Sequence, residues 1–348
     1  MRFDALLARN VRGFWATSYS FGLKLFDQYL LRKLSQGSLN AVVLADHDKL
    51  ADVWEHLPES EYYMARQVGR RYLLRGVRLP GGGAFHAKTY LFVQADRATL
   101  LLGSGNLTRD GIDGGRETFT ALSSQVDADL PSMRAWASWA ARIVDDLDDP
   151  LLTARWAALR DTCPWMLGAT DGSYFLHNRD QSLITQLATH LPAEVSELHL
   201  SSPFFDPGAR ALKRLIATAR PELVQLYLGA GPKVNGPSLI HALEGAPTTA
   251  LKRFEPRTFV HAKLIGAIGP EGDGVLLVGS PNLSQAALTT TYGDGGAGNC
   301  ETALVRHGTA DQIRAVFGNS GLSLVDEPLD TLGALEFEED HPSNPRPL

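Results

Sequence analysis

The chain has 348 residues, of which 44% are hydrophobic and 21% charged, a composition typical of a globular protein and unlike that of a disordered chain. Its two cysteines, Cys163 and Cys300, exclude a disulfide framework and a cluster of thiolate metal ligands. The formal net charge of −6 argues against a protein that coats nucleic acid indiscriminately, because neutralising phosphates requires a basic surface. No segment has the pattern of a signal peptide or a membrane span, so we expect a soluble, cytoplasmic protein.

The elements predicted from hydrophobic periodicity come in two matching series. Residues 14–34 begin with a short apolar strand, continue through an aromatic turn and end in a helix, and a second strand follows at 39–48. After a long excursion, three further strands complete the series. The same order recurs over residues 197–306, which predicts a duplicated α/β unit.

The segment between the two copies, residues 131–163, predicts two helices divided by Pro150, with tryptophans in packing positions. After Val325 the chain becomes acidic and contains prolines, so we expect a partly disordered tail or a peripheral flap. The predicted units are a first half (1–126), a helical connector and lead-in (127–195), a second half (196–325) and the tail (326–348).

Each copy places a histidine and a lysine two positions apart where an apolar strand begins. These are His86 and Lys88 in FHAKTYLFV, and His261 and Lys263 in FVHAKLIGAI. Because residues i and i+2 of a strand face the same way, each pair presents an imidazole and an ammonium together. A single histidine is more often structural, but matched neighbours in both copies favour a catalytic role.

A turn of small residues follows each pair, GSGN at 103–106 and GSPN at 279–282, and its asparagine lies 20 or 21 residues after the histidine. Glycine at such a turn would let backbone amides approach a ligand, and the asparagine adds a donor. This group of side chains suits an anion whose central atom is attacked or protonated. Hydrolysis of a phosphodiester without a metal needs two imidazoles, and a pseudo-two-fold axis would bring both into one cleft.

Basic runs lead into both histidines. Taken alone, either run could be a solvated strand face, but their matching positions favour a basic groove. The residues predicted to contact substrate in this way are Arg70, Arg71, Arg75, Arg78, Lys252, Arg253 and Arg257.

The paired HAK and GSxN motifs, each with a later glutamate, resemble those of the phospholipase D superfamily over residues 14–125 and 196–307. The resemblance implies two α/β/α sandwich halves that share one metal-independent active site without any cofactor. It also implies a phosphohistidine intermediate, with His86 as the nucleophile and His261 as the general acid that later activates water.

The resemblance extends to the supporting residues. Those expected to bind the non-bridging oxygens are Lys88, Lys263, Asn106 and Asn282, while Ser104 and Ser280 are expected to be supporting donors in substrate binding. Glu117 and Glu301 resemble the carboxylates that orient a histidine ring and fix its tautomer.

One position departs from the family pattern. The aspartate usually found seven residues after the histidine is replaced by Val93 and Ile268. Relatives without it include tyrosyl-DNA phosphodiesterases and restriction-type nucleases. The loss of this aspartate weakens the interpretation that the substrate is a lipid. The sequence also has no evident export signal or apolar interfacial surface, so we expect no membrane partner.

The sequence therefore predicts a metal-independent phosphodiesterase that acts on nucleic acid, above all DNA, in bacterial defence or repair. Two other enzymes remain open: one that removes adducts from DNA ends and one that cleaves phospholipid. A third possibility is a catalytically silent nucleic-acid-binding subunit that serves a helicase or another defence partner. Since both motif copies are in one chain, a monomer can be complete, and a higher oligomer stays open.

Overall fold

Two mixed β-sheets, one from each half of the chain, organise the protein in the computed structural model, which describes residues 10–34, 40–114, 116–255, 258–318 and 321–336. The first sheet contains β1 (Gly13–Ser18), β2 (Asn40–Asp46), β3 (Leu73–Val77), β4 (Thr89–Val93), β5 (Ala98–Gly103) and β6 (Phe119–Ser123). The second contains β7 (Phe175–His177), β8 (Glu197–Ser201), β9 (Leu223–Leu228), β10 (Thr248–Glu255), β11 (Leu264–Ile268), β12 (Asp273–Gly279), β13 (Thr302–Thr309) and β14 (Ser323–Glu327).

The two sheets have the same topology. The strand order is β3-β2-β1-β4-β5-β6 in the first sheet and β14-β10-β9-β8-β11-β12-β13-β7 in the second. Without the edge strands β14 and β7, the second order repeats the first strand for strand. In each copy the first three strands are parallel and the last three are antiparallel. The predicted duplicated, pseudo-symmetric α/β fold is confirmed.

Helices cover both faces of each sheet. They are α1 (Leu23–Leu25, a π-helical turn at Phe26–Leu30, and Leu31–Leu34), α2 (His47–Glu55), α3 (Tyr62–Ala65), α4 (Leu130–Leu147), α5 (Pro150–Thr162), α6 (Leu183–Ala188), α7 (Arg210–Ala219), α8 (Gly236–Leu243) and α9 (Ala310–Gly318). The first sheet packs between α1 on one face and α4 with α5 on the other. The second packs between α6, α7 and α8 on one face and α9 on the other.

The connector helices α4 and α5 join the two halves. Asp149 caps α5 by accepting hydrogen bonds from the first backbone amides, ahead of Pro150 at a favoured first position. On α4, the indole of Trp136 donates to Thr89 Oγ1 at 3.1 Å, and that of Trp139 donates to Tyr292 Oη at 2.9 Å. Both tryptophans are buried, so they pack as predicted and tie the connector to both halves.

The halves also meet directly through backbone pairing. Phe85 of the first half forms a β-bridge with Cys300 of the second. His86 N donates to Cys300 O at 2.9 Å, and Cys300 N donates to Ala84 O at 2.8 Å. The segment that carries His86 is therefore held by the chain of the opposite half.

The predicted boundaries shift in two places. Strand β7 and helix α6, which lie in the predicted connector, join the sheet and the core of the second half. Strand β14 crosses the boundary at residue 325, and Leu332 packs in the second core, so the tail prediction is wrong for 326–336. The acidic residues that suggested a tail complement the charges of β10 in ion pairs. The rest of the predicted tail, 337–348, lies outside the described residues.

Candidate active site

The two HAK segments are extended stretches that lead into β4 and β11, at the edge where the parallel strands end. Asp46 closes β2 at this edge and accepts the backbone amide of Phe85 at 2.8 Å. The lysines are almost fully inaccessible, with Lys88 0% and Lys263 1% exposed, while His86 is 8% exposed. Burying two ammonium groups is unfavourable unless anionic or polar groups surround them, which marks this edge as a candidate site.

Each histidine is held by the glutamate of the opposite half. His86 Nδ1 lies 2.9 Å from the carboxylate of Glu301, and His261 Nδ1 lies 2.7 Å from that of Glu117. A carboxylate on Nδ1 fixes the proton there and leaves Nε2 as the nitrogen available for chemistry. The two predicted sets of residues are thus crossed, because each imidazole depends on a carboxylate from the other copy.

The serines of the GSxN turns lie behind the glutamates. The Ser104 hydroxyl donates to Glu117 at 2.5 Å, and the Ser280 hydroxyl donates to Glu301. Both serines are fully buried. Since each hydroxyl proton is already used by a carboxylate, the predicted donation to substrate is corrected: these serines position the glutamates.

The turn glycines also have a different purpose from the predicted one. A Cβ on Gly103 would lie 2.2 Å from Thr118 O, and one on Gly279 would lie 2.4 Å from Thr302 O. Glycine is needed because the strand that carries each glutamate passes directly over the turn. The approach of the turn's backbone amides to a ligand stays a prediction.

The electrostatics place all four catalytic candidates of the two HAK motifs in one centre. Burial lowers the pKa of His86 to about 4, and Lys88 and Lys263 both contribute in the same direction. Burial also lowers the pKa of His261, to which Lys263 and Lys88 contribute. Each imidazole is therefore within electrostatic reach of the ammonium from the opposite half, as expected for a shared pocket.

The lysines repel one another across this centre. Burial lowers the pKa of Lys88 to about 8. It lowers the pKa of Lys263 well below its usual value, with Lys88 as the next cause. Each ammonium donates to the backbone carbonyl of its own histidine, Lys88 at 2.7 Å and Lys263 at 2.8 Å. An anion bound beside both would favour their charged forms.

Glu301 remains ionised although it is fully buried. Burial alone would raise its pKa, but His86, Lys88 and the Ser280 hydroxyl lower the pKa on balance. Asn178 accepts the backbone amide of Glu301 at 2.8 Å and fixes its position. Sequence reasoning missed Asn178, which lies in the predicted connector and has no counterpart in the repeat.

The asparagines of the two turns differ in their surroundings. Asn106 Oδ1 accepts the Ser20 amide at 3.4 Å. Asn282 Oδ1 is buried and has no hydrogen-bond partner in the part of the chain that the structure describes. Both side chains are half-buried at the ends of β5 and β12, so their contact with substrate stays a prediction.

Solved structures of two enzymes share the overall fold of this chain. A yeast tyrosyl-DNA phosphodiesterase is 10% identical, with a TM-score of 0.53 over 86% of this chain and 84% of that chain. A phosphatidylserine synthase from Haemophilus influenzae Rd KW20 is 14% identical, with a TM-score of 0.55 over 94% of this chain and 86% of that one. Protein-family models and curated protein sequences give no match.

The protein shares the fold of these two enzymes. The missing aspartate of the phospholipase D motif does not affect the site described above. Val93 and Ile268 close β4 and β11 at the edge far from the histidines. Seven extended residues span roughly 20 Å, so neither position reaches the centre.

The predicted basic groove is only partly formed. Arg70 and Arg71 are exposed and precede β3, which runs parallel to β2, so they lie at the edge opposite the phospholipase D-type centre. The length of β3 separates them from the histidines, so their contact with a longer nucleic acid stays a prediction. Arg78 follows β3 at the correct edge and pairs with Asp48 at 3.2 Å.

The remaining basic candidates form ion pairs within the protein. Arg75 pairs with Asp149, and Arg253 pairs with Glu327. Lys252 pairs with Asp326 at 2.8 Å. These pairs join strands to neighbouring elements, and the predicted binding of substrate by Arg75, Lys252 and Arg253 would compete with them. Arg257 lies outside the described residues.

Aromatic rings flank both histidines, and sequence reasoning did not assign them to the site. The ring centroid of Tyr19 lies 5.1 Å from that of His86, and the centroid of Phe204 lies 6.0 Å from that of His261. Lys88 Nζ is 5.7 Å from the Tyr19 ring, and Lys263 Nζ is 5.9 Å from the Phe204 ring. The signal was present as an aromatic turn after the first strand of each copy.

The described residues show neither a metal cluster nor a membrane-spanning helix. They contain no group of three or more His, Cys, Asp or Glu side chains arranged to hold a metal ion. None of their helices combines the length and apolar character needed to cross a bilayer.

Proposed function

We propose that the protein is a phosphodiesterase that hydrolyses nucleic acid, DNA in particular, through a phosphohistidine intermediate and without a metal ion. The observation that carries the proposal is the crossed arrangement of two imidazoles and two carboxylates around two buried lysines. Each imidazole has its tautomer fixed, so one can attack while the other transfers a proton.

In the first step, His86 Nε2 attacks phosphorus and the bond from phosphorus to the leaving oxygen breaks. His261, protonated on Nε2, gives that proton to the leaving oxygen. His86 keeps its Nδ1 proton, and the positive charge on the phosphorylated ring faces Glu301. Burial lowers the pKa of both imidazoles, which suits an attacking His86, and an anionic phosphodiester bound beside His261 would raise the pKa of that ring so that it carries the proton.

In the second step, neutral His261 removes a proton from a water molecule whose oxygen attacks phosphorus. The bond from phosphorus to His86 Nε2 breaks and restores the neutral imidazole. Lys88 and Lys263 stabilise the non-bridging oxygens in both steps, and Asn106 and Asn282 are proposed to donate to them.

The choice of nucleic acid rests on the surroundings of the centre. Aromatic rings and lysines together are the groups that bind bases and phosphates of single strands. The likeness to a tyrosyl-DNA phosphodiesterase supports removal of adducts from DNA ends as the second candidate. We propose bacterial DNA defence or repair in the cytoplasm as the setting, with a helicase or similar protein as a partner.

The test is cleavage of labelled DNA in excess EDTA, followed by denaturing electrophoresis of the protein. We expect cleavage to persist, with a denaturant-stable nucleotide adduct on His86. His86→Ala should reduce activity to background, and His261→Ala should slow turnover by roughly 10² to 10⁴. The exposed His241 provides the matched control, because His241→Ala should behave as wild type.

Other outcomes would contradict the proposal. Activity that is lost in EDTA and restored by Mg²⁺ would contradict the metal-free mechanism. A protein that binds DNA without any turnover would be the silent binding subunit. Cleavage confined to DNA ends that carry a tyrosyl adduct would favour the second candidate.

A further inference from the structure

The side of the centre occupied by His261 carries an aromatic surface. Phe259 is 43% exposed, although a large apolar side chain next to a buried polar centre would ordinarily be covered. Its ring centroid lies 5.8 Å from that of His261, with an angle of 30° between the planes. The half-buried Phe204 ring lies 6.4 Å from Phe259 and 6.0 Å from His261. We call Phe204 and Phe259 the aromatic platform.

The His86 side has one ring, that of the half-buried Tyr19, in the place of Phe204, but Phe259 has no aromatic counterpart in the sequence of the first copy. Phe259 precedes its histidine by two positions, and the residue two positions before His86 is Ala84. Ala84 is covered by the second half, because its amide donates to Asn299 Oδ1 at 3.1 Å and its carbonyl accepts from Cys300. The two sides of the pseudo-symmetric centre therefore differ: one is closed by backbone pairing and the other presents an exposed ring.

We propose that the aromatic platform binds the unpaired nucleobase of the leaving nucleotide. This inference rests on the proposed function, in which His86 attacks and His261 protonates the leaving oxygen. In-line displacement places the leaving group on the side of His261, and the nucleotide that begins there reaches Phe259 and Phe204. A flat ring stacks on such side chains regardless of base identity, so the platform selects unpaired bases without reading sequence.

A lysine beside the platform favours a nucleotide as the ligand over an isolated aromatic group, because a nucleotide carries a phosphate. Lys233 Nζ lies 6.0 Å from the Phe204 ring. It also lines a cavity of about 590 Å³ that is bounded by the ends of β9 and β10 and by residues 334–336. An ammonium beside the platform can bind a phosphate of the leaving strand.

The test compares oligonucleotides that differ only in the nucleotide on the leaving side, which carries either a base or an abasic residue. For wild type, we expect kcat/KM to be about ten-fold higher with the base, the size of one stacking contact. Phe259→Ala should remove this preference by lowering kcat/KM for the base-bearing substrate alone. Tyr62→Ala, which removes an aromatic ring 53% exposed in the first half, should keep the preference.

A second substrate pair separates a nucleobase from an aryl adduct. If Phe259→Ala impairs only substrates with a tyrosyl leaving group, the platform serves adducts and the nucleobase assignment is wrong. Equal losses on base-bearing and abasic substrates would also overturn it, because they would indicate a structural role for Phe259.

A binding measurement makes the result independent of turnover. Single-stranded DNA with 2-aminopurine on the leaving side should lose fluorescence when it binds His86→Ala protein, and the added Phe259→Ala change should restore the fluorescence. Absence of cleavage by wild type would contradict the proposed function alone. Unchanged fluorescence on binding would contradict the platform alone.

Discussion

The crossed pairs of histidine and glutamate make each imidazole dependent on the opposite half of the chain. Glu301 is fully buried, bonded to His86 and supported by Ser280 and by the amide of Asn178. Such a carboxylate fixes the tautomer of the ring and stabilises its positive form. Glu117 has the same relation to His261, with Ser104 behind it.

Replacing Glu301 by glutamine removes the negative charge of the side chain and keeps its shape. We expect Glu301→Gln to lower kcat by roughly 10² or more, because the amide cannot stabilise the charged ring. The Glu301 carboxylate raises the pKa of His86 against the larger effect of burial, which lowers it to about 4. Its removal should move the acidic limb of the kcat/KM profile to lower pH, since the nucleophile is inactivated only by protonation. Rate measurements between pH 3 and 8 test this shift, with circular dichroism as a control for folding. An acidic limb that stays in place or moves to higher pH would show that the pairing is wrong.

The motif residues could be predicted because their spacing is repeated. His86, Lys88, His261 and Lys263 follow from two short strings in equivalent positions of the two copies. The pairing of each glutamate with the histidine of the opposite half could not be predicted, because chain order does not show which strand passes over which turn. Ser104 and Ser280 were misassigned for the same reason, since a hydroxyl in a motif does not reveal which acceptor it meets.

At the scale of elements, two glycine-rich loops hold the His86 segment against the second half. A Cβ on Gly81 would lie 2.0 Å from Gly296 O, and one on Gly83 would lie 2.0 Å from Gly298 O. The backbone of one loop thus packs directly on the backbone of the other, close to the bridge between Phe85 and Cys300.

Alanine at Gly83 should disturb this contact and displace His86 from Glu301. We expect Gly83→Ala to reduce activity by at least ten-fold and to lower the free energy of unfolding by about 1–3 kcal/mol, as overpacking does. Gly82→Ala is the matched control, because it has positive φ with nothing within 4 Å of the added Cβ. It should cost about 1 kcal/mol through backbone strain alone and leave kcat nearly unchanged. Equal activity losses in the two variants would refute a specific role for the contact.

The direction of β3 determines which arginines can reach substrate. Arg70 and Arg71 precede this strand, at the edge away from the histidines. We expect the Arg70→Ala, Arg71→Ala double variant to keep kcat/KM within about two-fold and to keep the same dependence of DNA affinity on salt. Each lost phosphate contact would reduce the slope of log affinity against log salt by about 0.7–0.9. A slope reduced by that amount would show that nucleic acid extends around to this edge.

Sequence patterns predicted the elements better than their partners. The runs that became β1, β2, β8 and β9 were apparent because they are apolar and bounded by turn residues. Strand β14 was not apparent, because its sequence is acidic and its pairing with Lys252 and Arg253 on β10 cannot be read from chain order. Strand β7, of three residues, is too short to have a pattern and is positioned by pairing with β13.

For the whole molecule, buried neutral histidines make stability depend on pH. Burial lowers the pKa of His86 and that of His177 to about 4 in each case. His177 Nδ1 lies 3.3 Å from the backbone amide of Arg179, which it accepts only in the neutral form. Since the unfolded chain has histidines near their ordinary pKa of about 6.5, it binds more protons between these values than the folded chain does.

The free energy of unfolding should therefore be highest above about pH 6.5 and should fall as the pH decreases towards 4. Urea denaturation at several pH values in this range measures the slope. His177→Gln should flatten the slope, whereas His241→Gln, at an exposed position, should not change it. A slope that is unaffected by His177→Gln would show that this histidine is not buried in the neutral form.

Convergence of both motif copies on one centre also limits what a single molecule can do in one encounter. In the proposed mechanism both histidines act on one phosphorus atom, so each chain has room for one scissile bond at a time. On duplex DNA, a nick in one strand would precede any cut in the other. A double-strand break would then require a second molecule, or release and a return in the opposite orientation.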